Sequence, residues 1–321
     1  MIKIEHLQDI PKLKSAAMTI GTYDGLHIGH RKIIEDMINR CKNENIPSIL
    51  MTFKEHPLSI FELENPPECI GTSEIRDEYF LNSGIDYLLM IDFSLKIANI
   101  THKSFLDFLL NKVDNLRLHL GFNFRFGKGN LGNIDYLREV ANAKPNNLDL
   151  VEVEPIKYED KVVSSSLIRD LIHIGNVELV ERLLHRPYRI TEEVVYGAGM
   201  GRKIGFPTIN QKTKKQVLPR FGVYKTSVLL GDKLYPSMTF VGRKSTDLDV
   251  DKANIPLVET HIFDFKGNLY RQNISVLFEK FIREDKKLGS FSELVAQLKE
   301  DKQKCLEDTS LGGKNTNYAF R

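Results

Sequence analysis

The sequence is poor in cysteine, in net charge and in long apolar runs, and each shortage excludes a class of protein. Its three cysteines are far apart and odd in number, which argues against a disulfide framework and a paired CxxC metal site. A formal net charge of +2 gives no electrostatic basis for binding nucleic acid or a membrane surface. No segment approaches the roughly 18 consecutive apolar residues of a membrane helix. We therefore predict a cytoplasmic protein with no nucleic-acid or membrane partner.

The first part of the chain alternates between predicted strands and predicted helices. With 321 residues, 41% of them hydrophobic, the sequence is long enough for two domains. In chain order the segments are AAMTIGT (strand), HRKIIEDMINRCKNEN (helix), SILMTF (strand), SEIRDEYFLNSG (helix), DYLLMID (strand), HKSFLDFLLNKV (helix), LRLHLGF (strand) and NIDYLREVANA (helix). This alternation is typical of βαβ units, so residues 1–185 are predicted to form a Rossmann-like α/β domain around a parallel sheet. Ligands of such sheets bind outside the carboxyl ends of the strands.

The second part, residues 186–321, is predicted to be an antiparallel β-barrel domain with a C-terminal helix. Short β-rich runs are punctuated by Gly, Pro, Asn and Asp at intervals of about 10 residues, as in a compact barrel. The runs are EEVVYG, VYKTSVLLG, LYPSMTFVG, VETHIFDF and NISVLFEKF. The segment SFSELVAQLKEDKQKCLED then places Phe291, Leu294, Val295 and Leu298 at helical spacing, which predicts a closing amphipathic helix.

The stretch GTYDGLHIGH, residues 21–30, joins the first long strand to the first long helix. Its glycines allow a tight turn and a close approach of the backbone to a ligand. His30 falls at the start of the helix, where free N–H groups and the helix dipole favour an anion. His27 and His30 can donate hydrogen bonds to phosphate oxygens as negative charge builds up in a transition state, so we predict that both are catalytic. The ligand-binding residues predicted beside them are Gly21, Asp24, Gly25 and Gly29.

Three further segments of the first part carry weaker signals. SSSLIRD, residues 164–170, offers hydroxyls at a helix N-terminus and an arginine one turn in, which indicates either a phosphate site or an N-cap with a solvated arginine. The loop GFNFRFGKGN, residues 121–130, suits a flat heterocycle, but it also fits a turn with its three phenylalanines packed inward. His56 in TFKEHP has a ligand-binding and a structural interpretation.

A second Gly-rich segment, YGAGMGRKIGFPTINQ, covers residues 196–211. By itself such a run also describes an ordinary β-turn. Its glycines can bring backbone N–H groups to a triphosphate, and Thr208 and Asn210 then offer neutral oxygens for Mg²⁺ shared with phosphates. Downstream, Glu259 lies on the predicted strand VETHIFDF, where a carboxylate is either a paired structural group or a base for a substrate alcohol. The ligand-binding residues predicted in this segment are Gly197, Gly199, Gly201, Arg202, Gly205 and Pro207.

These segments together resemble the bacterial bifunctional riboflavin kinase/FAD synthetase family. GTYDGLHIGH, TFKEHP, LGFNFRFGKGNLG and VSSSLIRDLIHIGNV resemble its FMN adenylyltransferase module, a member of the nucleotidyltransferase superfamily. GFPTIN, RFGVYKTSV and VETHIFDF resemble its riboflavin kinase module. The resemblance implies an α/β nucleotidyltransferase domain followed by a kinase barrel, with ATP as co-substrate and Mg²⁺ as cofactor. Riboflavin, FMN and FAD would be the other ligands, and the oligomeric state stays open.

The resemblance also implies a role for each matching residue. In the first module His27 and His30 contact ATP phosphates, and Asn123 with Phe124 helps to hold FMN. The residues that close over the triphosphate are Ser164, Ser165, Ser166 and Arg169. In the second module Thr208 and Asn210 bind Mg²⁺, and Glu259 is the catalytic base.

Departures from the family pattern occur mainly in the second module. Ser245 and Asp247 stand where the family usually has proline and an aromatic residue, and Arg271 stands where it has glycine. They support an alternative, a monofunctional FMN adenylyltransferase with an inactive or weak kinase domain.

Two alternatives come from other classes of protein. A non-catalytic flavin-binding regulator would need none of the triphosphate-binding residues. A relative of the aminoacyl-tRNA synthetases would share the His-x-Gly-His turn, but the sequence has no basic region large enough to grip tRNA.

Overall fold

The strand predicted before the His-x-Gly-His turn forms the centre of a six-stranded parallel sheet. The computed structural model describes residues 1–61, 68–197, 199–213, 215–243 and 256–307. The strands of this sheet are β1 (Ile2–Ile4), β2 (Leu13–Ile20), β3 (Ser48–Phe53), β4 (Tyr87–Ile91), β5 (Val113–Gly121) and β8 (Leu148–Val153). They lie in the order β1-β4-β3-β2-β5-β8, and all are parallel.

Helices cover both faces of this sheet, as the nearly continuous apolar strands require. The helices between its strands are α1 (Ile28–Glu44), α2 (Ser73–Asn82), α3 (Leu95–Ala98), α4 (His102–Lys112) and α5 (Ile134–Ala143). On one face Ile34 and Met37 of α1 pack with Leu50 and Phe80. The other face forms a separate apolar cluster that includes side chains of α4 and α5. The predicted parallel α/β architecture is confirmed.

The order of the strands puts a reversal beside β2. From β2 the chain proceeds outward through β3 and β4, and it then returns to the other side of β2 as β5. At such a switch point the loops after neighbouring strands diverge and leave a crevice at the carboxyl ends. The segments that follow β2, β3 and β5 are three of the four in which site residues of the first part were predicted.

Several short elements of this part were not predicted. The edge strands β1 and β8 were missed, and so were two small hairpins. The hairpins are β6 (Arg125–Phe126) with β7 (Gly132–Asn133), and β9 (Lys157–Tyr158) with β10 (Lys161–Val162). β1 and the hairpin strands have two or three residues each and carry too little periodicity to be recognised from sequence, whereas β8 has six residues and is an edge strand.

From Ser165 onward the chain forms two helices and then a curled antiparallel sheet. The helices are α6 (Ser165–His173) and α7 (Val177–Leu184), and α8 (Met200–Lys203) is a single turn further on. The strands are β11 (Tyr188–Glu193), β12 (Ile209–Gln211), β13 (Gly222–Leu230), β14 (Lys233–Gly242), β15 (Leu257–Ile262) and β16 (Asn273–Glu284). Their order is β11-β16-β13-β14-β15-β12. The Val195 N–H donates to Asn210 O (2.8 Å), so the residues just after the edge strand β11 bond to the opposite edge strand, β12. The sheet therefore curls back towards itself, and the predicted barrel class is confirmed.

A row of buried hydroxyl groups crosses the interior of this sheet. Thr239 Oγ1 lies 2.8 Å from Thr226 Oγ1 and 2.8 Å from Thr260 Oγ1, and Thr226 also bonds Ser237 (2.7 Å). All four side chains are buried. Because these bonds form only when β13, β14 and β15 pair in this register, the row specifies the alignment of the three strands.

The closing helix α9 (Phe291–Glu307) is present, but its buried side differs from the predicted one. Phe291 is 58% exposed, whereas Asp301 is fully buried. The expectation that Phe291 would lie on the packed face is therefore wrong. Arg283 of β16 donates to both Asp301 oxygens (2.9 and 2.7 Å), and Gln297 donates to Oδ1 (3.0 Å). A buried carboxylate with these partners fixes the rotation of the helix more strongly than an apolar side chain at its first turn.

The described residues separate into two compact units. One is built from residues 1–61 and 73–164, and the other from residues 68–72 and 165–307. The domain boundary between residues 185 and 186 stays a prediction, and Ser245 and Asp247 lie outside the described residues. No helix in the described part of the chain is both long and apolar enough to cross a membrane.

Arg271, which replaces a glycine of the family pattern, has a left-handed backbone with φ of +63°. A side chain disfavours this conformation, and glycine does not. We expect Arg271→Gly to raise the free energy of unfolding by about 0.5–1 kcal/mol in urea titration. Arg182→Gly, at an exposed position of α7, is the matched control and should lower it by about 1 kcal/mol. A loss of stability in Arg271→Gly would contradict the assignment of strain to this residue.

Candidate active sites

A tight turn after β2 positions the two predicted catalytic histidines. Tyr23, Gly25 and Leu26 all have positive φ (52°, 80° and 49°), and they reverse the chain within one 3-10 turn. His27 then becomes the N-cap of α1. Because two of the three left-handed residues are not glycine, the turn depends on surrounding contacts to hold it.

Two side chains that the sequence analysis did not single out supply those contacts. The Tyr23 hydroxyl lies 2.8 Å from Thr19 Oγ1, and its ring meets that of His30 edge-on at 5.4 Å. The Arg31 Nε donates to Leu26 O (3.2 Å), and its guanidinium lies 4.9 Å from the centre of the Tyr79 ring. Tyr23 stands inside the quoted motif between two glycines, which was the available signal. Arg31 gave none.

The rings of His27 and His30 stack on each other. Their centroids are 3.7 Å apart with an angle of 20° between the planes. The His30 backbone N–H donates to His27 Nδ1 (3.4 Å). Because Nδ1 accepts this bond, the neutral ring of His27 carries its proton on Nε2. His27 can therefore donate one hydrogen bond outward from Nε2.

Burial keeps both imidazoles neutral. His27 is 4% exposed, and burial lowers its pKa to about 4. Burial also lowers the pKa of His30 well below the ordinary value, and the neighbouring His27 adds to the effect. In the described residues, His30 Nδ1 is buried and has no hydrogen-bond partner. Phosphate oxygens nearby would reverse part of this shift, because negative charge favours the imidazolium.

The absence of a side chain at Gly29 leaves room for the His27 ring. A side-chain carbon at Gly29 would lie 3.2 Å from both Cε1 and Nδ1 of His27 and 3.6 Å from Val163 O. Any larger residue would push the ring out of its stack. The same distances bring the main chain at Val163 close to the turn, so the segment that continues into Ser164 begins beside the paired histidines.

The segments after β3 and β5 lie at the same edge of the sheet as this turn. His56 follows β3, and its Nδ1 accepts the Leu58 N–H (3.2 Å). Asn123 is exposed in the loop after β5, and the Phe124 N–H donates to Gly121 O (3.0 Å). The flavin-side role of Asn123 and Phe124 and the ligand role of His56 stay predictions.

The three phenylalanines of this loop divide between the two interpretations. Phe126 is buried, Phe124 is half-buried and stacks on it at 5.6 Å, and Phe122 is 49% exposed. The inward-packed turn therefore describes Phe126, whereas Phe122 offers an apolar face to solvent.

Of the remaining residues predicted for the first site, Ser164 ends the first unit, and Ser165, Ser166 and Arg169 lie in α6 of the second unit. Ser165 begins this helix, and Arg169 Nε donates to Glu68 O (2.9 Å). The predicted closure of Ser164, Ser165, Ser166 and Arg169 over ATP stays a prediction.

In the second unit the Gly-rich segment folds closely onto the strand that follows it. A side-chain carbon at Gly197 would lie 2.6 Å from Asn210 Nδ2, and one at Gly201 would lie 2.2 Å from Phe206 O. Glycine is thus required at both positions by close approach. Gly199 and Gly205 have positive φ (69° and 83°), and Arg202 is exposed on α8 between them. The turn places the half-buried Thr208 immediately before β12.

Asn210 and Glu259 are direct neighbours across two antiparallel strands. Asn210 pairs with Glu259, and Glu259 pairs with Phe240, so the three side chains share one face of the sheet. Asn210 is 6% exposed, and its Oδ1 is buried with no hydrogen-bond partner in the described part of the chain. An orphaned amide oxygen beside a carboxylate fits a site that receives a cation or a donor group.

His261 is a further residue that the sequence analysis missed. Its Nδ1 lies 2.8 Å from Pro207 O, so Nδ1 donates and holds the main chain just before Thr208. Burial lowers the pKa of His261, which keeps the ring neutral. Nothing in the pattern of the strand VETHIFDF indicated that the histidine two residues after Glu259 anchors the turn.

Two family models match successive parts of this chain. The family model described as FAD synthetase matches residues 9–167, and the one described as riboflavin kinase matches residues 184–308. A bifunctional riboflavin kinase/FMN adenylyltransferase of Escherichia coli K12 is 31% identical, over 93% of this chain and 94% of that protein. One from Bacillus subtilis is 29% identical, over 95% and 96%.

The chain belongs to the bifunctional riboflavin kinase/FMN adenylyltransferase family.

This chain also resembles a solved structure over most of its length. It is described as a macrolide-efflux protein from Streptococcus pneumoniae, with a TM-score of 0.80 and 28% identity, and it covers 94% of this chain and 97% of that one. That description applies to that protein. The two family models and the curated relatives agree on flavin chemistry.

The burial of His27 predicts an unusual titration. Its Cε1–H resonance, assigned by loss in His27→Gln, should titrate with a pKa of about 4 in NMR spectra recorded from neutral to acid pH. An unfolded histidine binds its proton near pH 6.5, so the free energy of unfolding should decrease as the pH falls from about 6.5 towards 4. His119, buried in β5 with a pKa also lowered to about 4, contributes in the same direction. A His27 midpoint near 6.5 would show that the ring is solvated.

Proposed function

We propose that this chain converts riboflavin to FAD in two ATP-dependent steps. In the first, riboflavin is phosphorylated to FMN, and in the second FMN is adenylylated with release of pyrophosphate. The observation that supports the proposal is that two separate Gly-rich turns each lie beside buried polar groups, one beside the stacked histidines and one beside the Asn210–Glu259 pair. Each set of polar groups suits one of the two steps.

The adenylyl step needs hydrogen-bond donors and no base. An oxygen of the FMN phosphate attacks the α-phosphorus of ATP, the bond to the bridging oxygen breaks, and pyrophosphate leaves. Because the attacking phosphate is already anionic, no proton has to be removed from it. The neutral His27 donates from Nε2, and His30 is stacked beside it at the N-terminus of α1. These groups stabilise the negative charge that grows on the phosphate oxygens.

The kinase step does need a proton acceptor. The 5′-hydroxyl of riboflavin attacks the γ-phosphorus of ATP, ADP leaves, and Glu259 takes the hydroxyl proton. Glu259 is half-buried on β15, which pairs with the edge strand β12 and so places it beside Asn210. Most of the acceleration should come from positioning and charge neutralisation, as in other phosphoryl transfers.

The donor set of the second site fits Mg²⁺. Thr208 and Asn210 would hold the ion together with ATP phosphates, since the buried Asn210 Oδ1 has no hydrogen-bond partner among the described residues. Within the described ranges no three His, Cys, Asp or Glu side chains cluster as metal ligands. Thr208 and Asn210 would contribute neutral oxygens. The ion would neutralise charge on the transferred phosphate.

We also propose that the protein is cytoplasmic. None of its three cysteines forms a disulfide, and Cys41 and Cys305 are buried while Cys69 is half-buried. Thiols that stay reduced are typical of a reducing compartment. The proposed partners are riboflavin, FMN, FAD and ATP, without nucleic acid.

The monofunctional alternative loses part of its basis. It depended on Ser245, Asp247 and Arg271, of which the first two lie outside the described residues. Arg271 has φ of +63°, a backbone conformation that the glycine of the family pattern adopts readily, and its N–H donates to Val194 O (3.0 Å). The substitution therefore preserves the path of the main chain beside the Gly-rich turn.

A product time course with riboflavin, ATP and Mg²⁺ tests the whole proposal. FMN should appear first and FAD should follow at its expense. FAD formed from supplied FMN, with no FMN formed from riboflavin, would leave only the monofunctional enzyme. Flavin binding without turnover of ATP would support a regulator instead.

His30→Ala should abolish FAD formation while FMN continues to accumulate, because the imidazole contributes only to the adenylyl step. Losing one charge-stabilising donor costs on the order of 10²–10³ in rate. His6→Ala, at an exposed histidine of the same unit, is the control and should retain both activities. Equal loss of both products in folded His30→Ala would contradict the role given to this ring.

Glu259→Gln should stop riboflavin phosphorylation and leave FMN adenylylation intact. The amide keeps the shape of the side chain and cannot accept the hydroxyl proton, so a loss of about 10²–10⁴ in kcat is expected. Glu193→Gln, at an exposed glutamate of β11, provides the matched control. Phosphorylation at a near-normal rate in Glu259→Gln would remove this residue from the mechanism.

A further inference from the structure

The loop after β5 is fastened to the start of α4. Its hairpin, β6 with β7, pairs Phe126 with Gly132. From its tip, the Lys128 N–H donates to Ile100 O (2.8 Å), two residues before His102. The loop that carries Asn123 and Phe124 is thus tied to a helix that bears none of the predicted site residues.

His102 fills a slot between the two glycines of this hairpin. A side-chain carbon at Gly127 would lie 2.4 Å from His102 N and 2.6 Å from its Cα. One at Gly132 would lie 2.7 Å from His102 Cβ and 2.6 Å from Phe126 Cε1. Real Cβ atoms do not approach other atoms so closely, so both positions exclude any residue but glycine while His102 stays where it is.

The imidazole of His102 contacts aromatic rings and makes no hydrogen bond through Nδ1. It meets Tyr136 edge-on at 4.7 Å and Phe126 edge-on at 6.4 Å. In the part of the chain that the structure describes, Nδ1 is buried and has no hydrogen-bond partner. A buried polar atom left without a hydrogen bond lowers the stability of the folded chain. The ring is therefore held there by its shape and its aromatic contacts.

We infer that His102 is a positioning residue for FMN recognition, acting through Phe126 and the hairpin rather than by touching the substrate. The contacts form a continuous path: His102 packs on Phe126, Phe126 stacks on Phe124 at 5.6 Å, and Phe124 follows Asn123 in the chain. This inference rests on the proposed function, in which Asn123 and Phe124 hold FMN. Removing the ring takes away one of the aromatic contacts of Phe126, which also meets Phe105 and Tyr136, and lets the loop shift relative to the paired histidines.

The test is steady-state kinetics of FMN adenylylation by His102→Ala and His102→Phe in the full chain. His102→Ala should raise the KM for FMN about 5–10-fold, while kcat and the KM for ATP change less than about 2-fold, because the loop acts on FMN binding and not on the chemistry. His102→Phe keeps the ring and removes the unpaired nitrogen. It should retain the KM for FMN within about 2-fold and unfold at a higher temperature.

Riboflavin phosphorylation by the same variants reports whether the rest of the chain is intact, and His6→Ala is the matched control. An unchanged KM for FMN in His102→Ala, or a parallel loss in kcat and in the KM for ATP, would overturn the inference. If His102→Ala does not fold, Gly132→Ala presses on Phe126 and His102 from the other side and should raise the KM for FMN alone. If the wild-type protein forms no FAD, the proposed function fails. Flavin fluorescence titration with FMN still tests His102 in that case, with a 5–10-fold weaker Kd expected for His102→Ala and an unchanged Kd counting against it.

Discussion

The geometry of the first site depends on burying two neutral imidazoles against each other directly after the central strand. The reversal at Tyr23, Gly25 and Leu26 is backbone that only glycine adopts freely, and packing of the Tyr23 ring against His30 holds it. The same packing removes water from His27 and His30 and lowers their pKa values. Local strain, the protonation state of the histidines and their position at the start of α1 therefore have one common cause. A change that loosens the turn would alter all three together.

The second unit brings its predicted site residues together by a different route. Here antiparallel pairing sets the positions, since the register of β12 with β15 makes Asn210 and Glu259 neighbours. The hydroxyl row through Thr226, Thr239 and Thr260 secures the register of the strands behind them. Contact of His261 with Pro207 then connects the strand to the Gly-rich turn. A helix N-terminus serves the first site, and strand register serves the second.

The sequence predicted those parts whose cause is local. Alternating apolar strands and amphipathic helices identified the parallel sheet, and the spacing of glycines and histidines identified both turns. What it did not predict depends on contacts between distant segments. Asp301 of the closing helix faces inward because Arg283 meets it from the strand β16. The roles of Tyr23 and His261 follow from ring and carbonyl contacts that no periodicity encodes, and β1 and β8 are edge strands whose assignment needs a neighbour. Fold class was accessible from patterns, whereas the rotation of α9 and the supports of the turns were not.

The amide oxygen of Asn210 is buried and has no hydrogen-bond partner among the described residues. A buried acceptor without a donor lowers the free energy of unfolding. A ligand that placed a cation or a donor group at this oxygen would bind the folded chain in preference to the unfolded one, and by mass action it would raise the fraction of folded chains. Resistance to proteolysis would then increase with the concentration of such a ligand.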